Sequence, residues 1–343
     1  PFICTVFFNL TMLFLEDTKK SDFLISVGLS LRDMAEQDIY IEKITIKEVR
    51  HLKDIEIPLS DTERKHLIFT GINGSGKTSV LEAIREYLHK VIIETARNES
   101  DNRNESDNMY ENAGIVDIKI NSSYSTYRKK YPTGKYILAF FNAKRGEGFI
   151  QPNGIKKINF KTRYDFSDKA GSEFIQHIVN LKARKSFAKE ENNLDAVDKI
   201  SNWFEMFEQN LKKIFEDSDV KLEFDSENFD YNILKTGRGK FTFNQLSDGY
   251  LAIFDIVSEI IMRMEPHRTT SYDIQGTVLI DEIEAHLHVS LQKKILPFLT
   301  SFFPRIQFIV TTHSPFVLSS IENAVICDLQ NNIIASDLSG YSY

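Results

Sequence analysis

The residues with the clearest chemical pattern lie in the stretch GINGSGKT, from Gly71 to Thr78. It matches G-x-x-x-x-G-K-[ST], in which glycines let successive backbone N–H groups curl around phosphate oxygens. Lys77 adds a charge for the β- and γ-phosphates, and the Thr78 hydroxyl can reach a magnesium ion. The pattern predicts bound ATP and Mg²⁺. The predicted nucleotide contacts are Gly71, Asn73, Gly74, Ser75, Gly76, Lys77, Thr78 and Ser79.

The residues on either side of this loop predict the elements that hold it. His66 to Thr70 form a short apolar run that suits a buried strand. After the loop, Val80, Leu81 and Ile84 recur at the spacing of one helix face. The loop should therefore join a strand to a helix N-terminus, where the helix dipole favours an anion.

Two carboxylates end a later apolar strand, Thr277 to Ile280. Asp281 is suited to hold magnesium through coordinated waters, and Glu282 to polarise the water that attacks the γ-phosphate. His313 ends another apolar run, where its imidazole can hydrogen-bond the γ-phosphate or that water. We predict Glu282, His313 and Lys77 as catalytic residues, and Thr78 and Asp281 as the magnesium contacts.

Two other patterns are less specific. Ser247 and Gly249, in the stretch LSDGY, precede a strongly apolar helix, so they lie at a second helix N-terminus suited to phosphate. His286 and His288 could suggest a zinc site, but no cysteine lies near them. We interpret the two histidines as part of a turn that shapes the site.

Composition excludes several classes of protein. The chain has 343 residues, of which 42% are apolar, enough for a sizeable core. Two cysteines, Cys4 and Cys327, do not suggest a disulfide framework. No apolar run approaches the roughly 18 residues of a membrane span. We expect a cytoplasmic protein without a membrane partner.

The chain divides into two predicted parts. Residues 1–38 are a segment of open status, either a strand-containing appendage or sequence upstream of the natural start. Residues 39–343 form the ATPase domain. Within it, the polar tandem repeat at about 96–114 predicts a mobile loop, and residues of about 115–245 predict a helical and basic insertion.

The insertion contains a strongly basic stretch. Between residues 128 and 163 the sequence has ten basic residues and one acidic residue, although the whole chain carries a net charge of −7. Such a stretch could line a groove for DNA or RNA, or could form ordinary solvated edges of a sheet. The basic residues are Arg128, Lys129, Lys130, Lys135, Lys144, Arg145, Lys156, Lys157, Lys161 and Arg163.

Taken in order, the phosphate loop, LSDGY, strand-DE and TTHSP resemble the ABC-type ATPase heads of the SMC/RecF class. In particular they resemble the stand-alone AAA-family ATPases of bacterial anti-phage systems, of the Septu, retron-linked and overcoming-lysogenisation kinds. The resemblance spans about residues 39–329. It implies an α/β P-loop NTPase fold of ABC-ATPase type, with a mixed sheet core, an antiparallel β subdomain and an inserted helical lobe.

The resemblance also implies a mechanism. Two heads would pack head-to-tail, each ATP lying between one phosphate loop and the other head's Ser247 and Gly249. Glu282 would be the general base and His313 the γ-phosphate sensor. Arg50 lies where such proteins often carry an arginine near the nucleotide. In the stretch FNAKR, from Phe141 to Arg145, the glutamine of the class is missing, which leaves the second magnesium contact open.

Four functions follow from these patterns. The leading one is an ATP-hydrolysing switch in anti-phage defence that dimerises and controls a partner effector, an expected nuclease. The alternative is a DNA-repair ATPase of RecF type that clamps DNA in an ATP-dependent manner. A transporter ATPase is disfavoured because the signature is LSDGY and not LSGGQ. A nucleotide-locked scaffold is disfavoured by the intact Glu282. No nuclease domain with an acidic cluster follows the ATPase motifs, so DNA cleavage is assigned to a partner or an absent C-terminal portion.

Overall fold

The computed structural model describes residues 38–94, 115–267 and 272–336. Contacts divide the chain after Asp38, and the described residues from Ile39 onward belong to the second unit. The predictions for residues 1–37 and for the polar loop at about 96–114 therefore lie outside the described residues. The domain boundaries stay predictions.

An antiparallel sheet forms the first layer of the described chain. It consists of β1 (Ile41–Val49), β2 (Leu52–Pro58) and β4 (Val116–Ile120), in the order β2-β1-β4. From Asp54 to Pro58 exposed and buried residues alternate along β2, as expected for a sheet with one face on the core. Ile46 of β1 pairs with Ile55 of β2, and both are buried. The predicted hairpin before the phosphate loop is confirmed.

The second layer is a six-stranded sheet in the described part of the chain, in the order β12-β11-β3-β10-β9-β5. All neighbours pair in parallel except β11 and β12. β9 and β10 are buried along their whole length, as is usual for strands of a parallel sheet that is covered on both faces. The strands are β3 (His66–Thr70), β5 (Tyr136–Phe141), β9 (Gln275–Ile280), β10 (Ile306–Thr311), β11 (Ala324–Asp328) and β12 (Ile333–Ala335).

Helices cover the six-stranded sheet, and two apolar clusters form the core. One cluster joins α1 (Lys77–Leu88) to the antiparallel sheet, and the other joins α5 (Asp248–Met264) to the helical lobe. The helices outside the lobe are α1 (Lys77–Leu88), a π-helical turn (His89–Glu94), α2 (Tyr124–Lys130), α5 (Asp248–Met264), a 3-10 turn (Glu265–His267), α6 (Val289–Gln292), α7 (Ile295–Phe302) and α8 (Pro315–Leu318).

The helical lobe is an antiparallel helix pair followed by a small sheet. The pair turns at Asn193, whose side chain accepts a hydrogen bond from the Ala196 N–H and so caps the second helix. The lobe contains a 3-10 turn (Gly171–Glu173), α3 (Phe174–Glu190), α4 (Leu194–Phe215), β6 (Lys221–Asp225), β7 (Asp230–Lys235), β8 (Gly239–Thr242) and a second 3-10 turn (Phe243–Gln245). The predicted helical lobe and small antiparallel segment are present.

The insertion predicted at about residues 115–245 stays a prediction as a domain, although its first two strands, β4 and β5, lie in the core sheets. β4 completes the antiparallel sheet and β5 forms the edge of the six-stranded sheet, so the chain leaves the core only after Phe141. The reason is physical: an apolar run has the same pattern in a core strand and in an inserted strand. Only pairing with β1 and β9 distinguishes the two.

Candidate active site

The phosphate loop follows β3 and ends where α1 begins. Gly71, Gly74 and Gly76 all have positive φ, at 135°, 84° and 96°, which favours glycine over other residues. At Gly76 space is also limiting, because an added Cβ would lie 2.9 Å from a methyl carbon of Leu52. The predicted strand, loop and helix are confirmed, with the loop packed against the start of β2.

Two groups of this loop fit a bound phosphate chain. The Lys77 ammonium donates to the carbonyl oxygens of Gly71 and Ile72 at 2.9 and 3.0 Å, so it is held over the loop. Burial lowers the pKa of Lys77, although the nearby carboxylates oppose that shift. The Ser75 hydroxyl oxygen is buried without a hydrogen-bond partner. Asn73, Gly74 and Thr78 are exposed, and Ser79 is half-buried.

The magnesium candidates from distant parts of the chain lie together. The Thr78 hydroxyl is 3.1 and 3.0 Å from the two carboxylate oxygens of Asp281, across 203 residues of sequence. Asp281 is buried and also accepts a hydrogen bond from the Thr311 hydroxyl at 2.7 Å. A hydroxyl beside a fixed carboxylate is the kind of oxygen pair that Mg²⁺ uses, so Thr78 and Asp281 would hold the ion.

Glu282 has an unusual backbone for a residue with a side chain. Its φ is 44°, in the left-handed region, which costs on the order of 1 kcal/mol or more and occurs often at functional sites. Its N–H donates to the Thr311 hydroxyl at 2.7 Å. Its half-buried carboxylate raises the pKa of Lys77, in opposition to the effect of burial. The negative charge of the predicted base therefore favours the protonated form of the phosphate-loop lysine.

His313 lies after β10 and is exposed. Its backbone N–H donates to a carboxylate oxygen of Glu284, whose other oxygen is buried without a partner. Sequence reasoning did not select Glu284. Its place three residues after Asp281, in a segment rich in acidic and histidine residues, is the signal that could have identified it.

Arg145 is the largest departure from the sequence interpretation. In the sequence it is only a member of the basic stretch, beside the position without a glutamine. The structure buries it against the carbonyl oxygens of Asn142, Asp281, Glu282 and Ile283, at 2.7, 2.6, 2.7 and 3.3 Å. Burial lowers its pKa to about 10, which leaves it protonated at neutral pH.

The signature residues Ser247 and Gly249 differ in exposure. Ser247 is the N-cap of α5, makes no side-chain capping bond and is exposed. Gly249 is buried, and a Cβ there would lie 3.0 Å from the carbonyl oxygen of His286. Gly249 therefore lets the start of α5 approach the turn after Glu284. Contact of either residue with a nucleotide across a dimer stays a prediction.

Arg50 occupies the turn between β1 and β2, with φ of 55°, and is exposed. The following residues, His51 and Leu52, lie beside Gly76 of the phosphate loop. This position is compatible with the predicted contact between Arg50 and the nucleotide, which stays a prediction.

His288 has a structural role at the turn before α6. Its ring nitrogen Nδ1 accepts from the Ser290 N–H at 3.4 Å and caps the helix. Within residues 38–94, 115–267 and 272–336, no group of three or more histidine, cysteine, aspartate or glutamate side chains could hold a metal. We interpret His286 and His288 as parts of the turn, because His288 caps α6.

The basic stretch does not act as one surface. Arg128 and Arg145 are buried. Arg128 donates to the Val91 carbonyl oxygen at 3.4 Å, and Lys161 pairs with Asp168 at 2.5 Å. At least three of the ten basic residues are thus engaged within the chain, and the hypothesis of a ten-residue groove is corrected to that extent.

No helix in the described part of the chain is long and apolar enough to cross a bilayer.

Comparison with known proteins gives one family model and several relatives. The family described as "AAA domain, putative AbiEii toxin, Type IV TA system" matches residues 189–319. Septu protein PtuA of Bacillus mycoides strain KBAB4 is 27% identical over 311 residues, which are 85% of this chain and 41% of that protein. The retron Ec83 probable ATPase of Escherichia coli is 44% identical over 90 residues, 25% of this chain and 17% of that one.

More distant relatives extend the comparison. RecF of Rickettsia prowazekii strain Madrid E, a DNA replication and repair protein, is 23% identical over 190 residues, 52% of each chain. The chain spans less than half the length of the first Septu and retron relatives named above. In its ordered motifs and in the parallel sheet that carries them, the chain is similar to the ABC-type ATPase heads of the SMC/RecF class, and its relatives include Septu, retron and RecF proteins.

Proposed function

We propose that this chain binds and hydrolyses ATP, and that the cycle switches it between two states of assembly. The observation that carries the proposal is the meeting of Thr78, Asp281 and Thr311 at one edge of the sheet. These residues follow β3 or end β9 and β10, three parallel neighbours. Because carboxyl ends of parallel strands share an edge, the sequence motifs converge there.

The chemistry would follow from the positions of these groups. Lys77 and the curled loop would neutralise the β- and γ-phosphates as charge develops on them. Magnesium, held by Thr78 and Asp281, would supply further charge neutralisation at the phosphates. Glu282 would accept a proton from the attacking water, and His313 would contact the γ-phosphate. Asp281 is held by the Thr78 and Thr311 hydroxyls, which keeps this arrangement rigid.

We further propose that two copies close head-to-tail around ATP. The support is the exposed start of α5, a helix of 17 residues whose N-terminus can attract phosphate. Ser247 is the N-cap residue of this helix, and its side chain makes no capping hydrogen bond. Hydrolysis would remove the shared γ-phosphate and let the copies separate, so that the nucleotide state sets the assembly.

The similarity to Septu and retron proteins supports a place for this switch in bacterial anti-phage defence. There the assembled state would control a partner effector, a nuclease. The alternative function is a RecF-like ATPase that clamps DNA, which the similarity to RecF over 52% of this chain favours. Hydrolysis stimulated by DNA without any partner would support the alternative. Cytoplasmic location is part of both proposals.

The test is the solution mass of Glu282→Gln with and without ATP and Mg²⁺, beside ATP hydrolysis by the unchanged protein. Replacement of the base with an amide of similar shape should trap ATP, so we expect the mass to double only with nucleotide. Ser247→Arg in the same background should abolish the doubling, because a long cation would block the shared surface.

Two results would contradict the proposal in different ways. An unchanged protein that binds ATP without hydrolysis would exclude the enzymatic cycle. A mass that does not respond to ATP, with hydrolysis intact, would exclude the shared site. Asp195→Asn, which removes an exposed charge of the helical lobe, serves as a control that should leave both measurements unchanged.

A further inference from the structure

One guanidinium holds the backbone on which the candidate base is built. Arg145 is 8% exposed, and its two terminal nitrogens donate to the carbonyl oxygens of Asp281, Glu282 and Ile283. These are three consecutive residues that include the magnesium partner and the base. Arginine suits this contact with three carbonyl oxygens because its five N–H donors form a planar fork, whereas the donors of lysine share one nitrogen.

The backbone that Arg145 holds is in a strained conformation. Glu282 has φ of 44°, which persists only when surrounding contacts impose it. The Thr311 hydroxyl accepts the Glu282 N–H at 2.7 Å, and Arg145 donates to the Glu282 carbonyl oxygen at 2.7 Å. Both peptide groups of this residue are therefore fixed, one from β10 and one from the loop after β5.

The same loop is attached to α5 at its other end. The Gly146 N–H donates to the Asp255 carboxylate at 3.3 Å. A Cβ on Gly146 would lie 3.5 Å from the Ala252 nitrogen and 3.6 Å from the Leu251 Cβ, so the loop runs close to the first turns of α5. A continuous set of contacts therefore joins α5, whose N-cap is Ser247, to the backbone of Glu282.

We propose that Arg145 is a positioning residue for hydrolysis, which keeps Glu282 in its left-handed conformation and ties it to α5. Arg145 acts through the backbone of Glu282. This inference rests on the proposed function, because it requires Glu282 as the base. Loss of the guanidinium should let the Glu282 peptide relax to an ordinary conformation and displace its carboxylate from the attacking water, while the phosphate loop stays intact.

The test compares Arg145→Met and Arg145→Lys with Lys144→Met. The control removes a positive charge from the same loop, but Lys144 is exposed, so the carbonyl contacts of Arg145 remain. For Arg145→Met we expect kcat for ATP to fall about tenfold or more while KM stays within about twofold, as for a group that acts in the transition state. ATP-dependent assembly should persist, and Lys144→Met should match the unchanged protein.

A normal kcat in folded Arg145→Met would overturn the proposal. A rise in KM alone would also overturn it, because it would mean that Arg145 serves nucleotide binding. If Arg145→Met fails to fold, Arg145→Lys decides: it keeps the charge but places its donors on one nitrogen instead of a planar fork, so a folded variant with normal kcat refutes the role. An unchanged protein without hydrolysis would contradict the proposed function itself.

Discussion

At the residue scale, a single threonine hydroxyl organises the candidate active site. Thr311 is fully buried at the end of β10, where it donates to Asp281 at 2.7 Å and accepts from the Glu282 N–H at 2.7 Å. In the sequence it is only the last residue of an apolar run. Its role depends on the adjacency of β9 and β10, which the sequence does not state.

We predict that Thr311→Val lowers ATP hydrolysis about tenfold or more, because both carboxylate residues lose a fixed partner. The Glu282 N–H and an oxygen of Asp281 would each lose a hydrogen bond, at a cost of about 1–3 kcal/mol in the free energy of unfolding. Hydrolysis rates and urea denaturation of the purified variant measure the two effects.

Thr277→Val is the matched control for this variant. Thr277 is fully buried in β9, and its hydroxyl pairs with the Tyr136 hydroxyl at 2.6 Å, in a contact that does not involve Asp281 or Glu282. It should lose a similar amount of stability with hydrolysis intact. Equal losses of hydrolysis in both variants would show that Thr311 has no special role in the site.

At the scale of elements, the site depends on how β3 is joined to its neighbour. His66 begins β3, is 8% exposed, and its ring nitrogen Nδ1 accepts from the Phe308 N–H of β10 at 3.0 Å. The acceptor role requires an unprotonated Nδ1. Burial, with a smaller contribution from the charge of Arg64, lowers the pKa of His66 to about 4. Protonation of His66 would therefore break the hydrogen bond between β3, which precedes the phosphate loop, and β10, which precedes His313.

The sign of the resulting pH effect follows from linkage. An unfolded histidine has a pKa of about 6.5, so between that pH and about 4 the unfolded chain binds a proton that the folded chain excludes. The stabilisation is therefore fully present above pH of about 6.5 and is lost as the pH falls toward 4. From pH 7 to pH 5 this group should cost about 2 kcal/mol.

His66→Asn tests this expectation, because the amide oxygen can replace Nδ1 as the acceptor without a titration. Urea denaturation at pH 7 and pH 5 gives the loss of stability on acidification for each protein. The loss should be smaller for His66→Asn by about 2 kcal/mol. The same loss in both proteins would mean that His66 does not carry the effect.

At the scale of the molecule, the helical lobe and the sheet share one apolar cluster. Phe174 and Phe207 of the lobe belong to the same buried cluster as Val278 and Phe308 of the sheet. The single tryptophan of the chain, Trp203, stacks on Phe207 with ring centroids 5.4 Å apart. Because apolar burial is the main stabilising term, the lobe should not unfold while the sheet stays folded.

We therefore predict one cooperative transition in urea for the lobe and the sheet. Trp203 fluorescence reports the lobe, and far-UV circular dichroism reports helices and strands throughout. The two curves should coincide in midpoint and slope. A fluorescence transition at lower urea would show that the lobe unfolds first, and would argue against a rigid connection between α5 and the active site.

The sequence by itself determined the motifs, their order and most elements that carry them. A phosphate loop between strand and helix, two carboxylates after a buried strand and a capped apolar helix are local patterns, because backbone geometry and side-chain periodicity act over a few residues. The hairpin before the loop, the helical lobe and the small antiparallel sheet could be predicted for the same reason.

Only the tertiary structure decided which residues meet. The edge position of β5, the roles of Thr311 and Glu284 and the burial of Arg145 depend on contacts between residues far apart in sequence. A charge pattern indicates that a residue is basic, but burial and hydrogen bonding decide whether it faces a ligand or a carbonyl. For that reason the sequence places Arg145 in a basic stretch, whereas the structure shows that it donates to the Glu282 carbonyl oxygen.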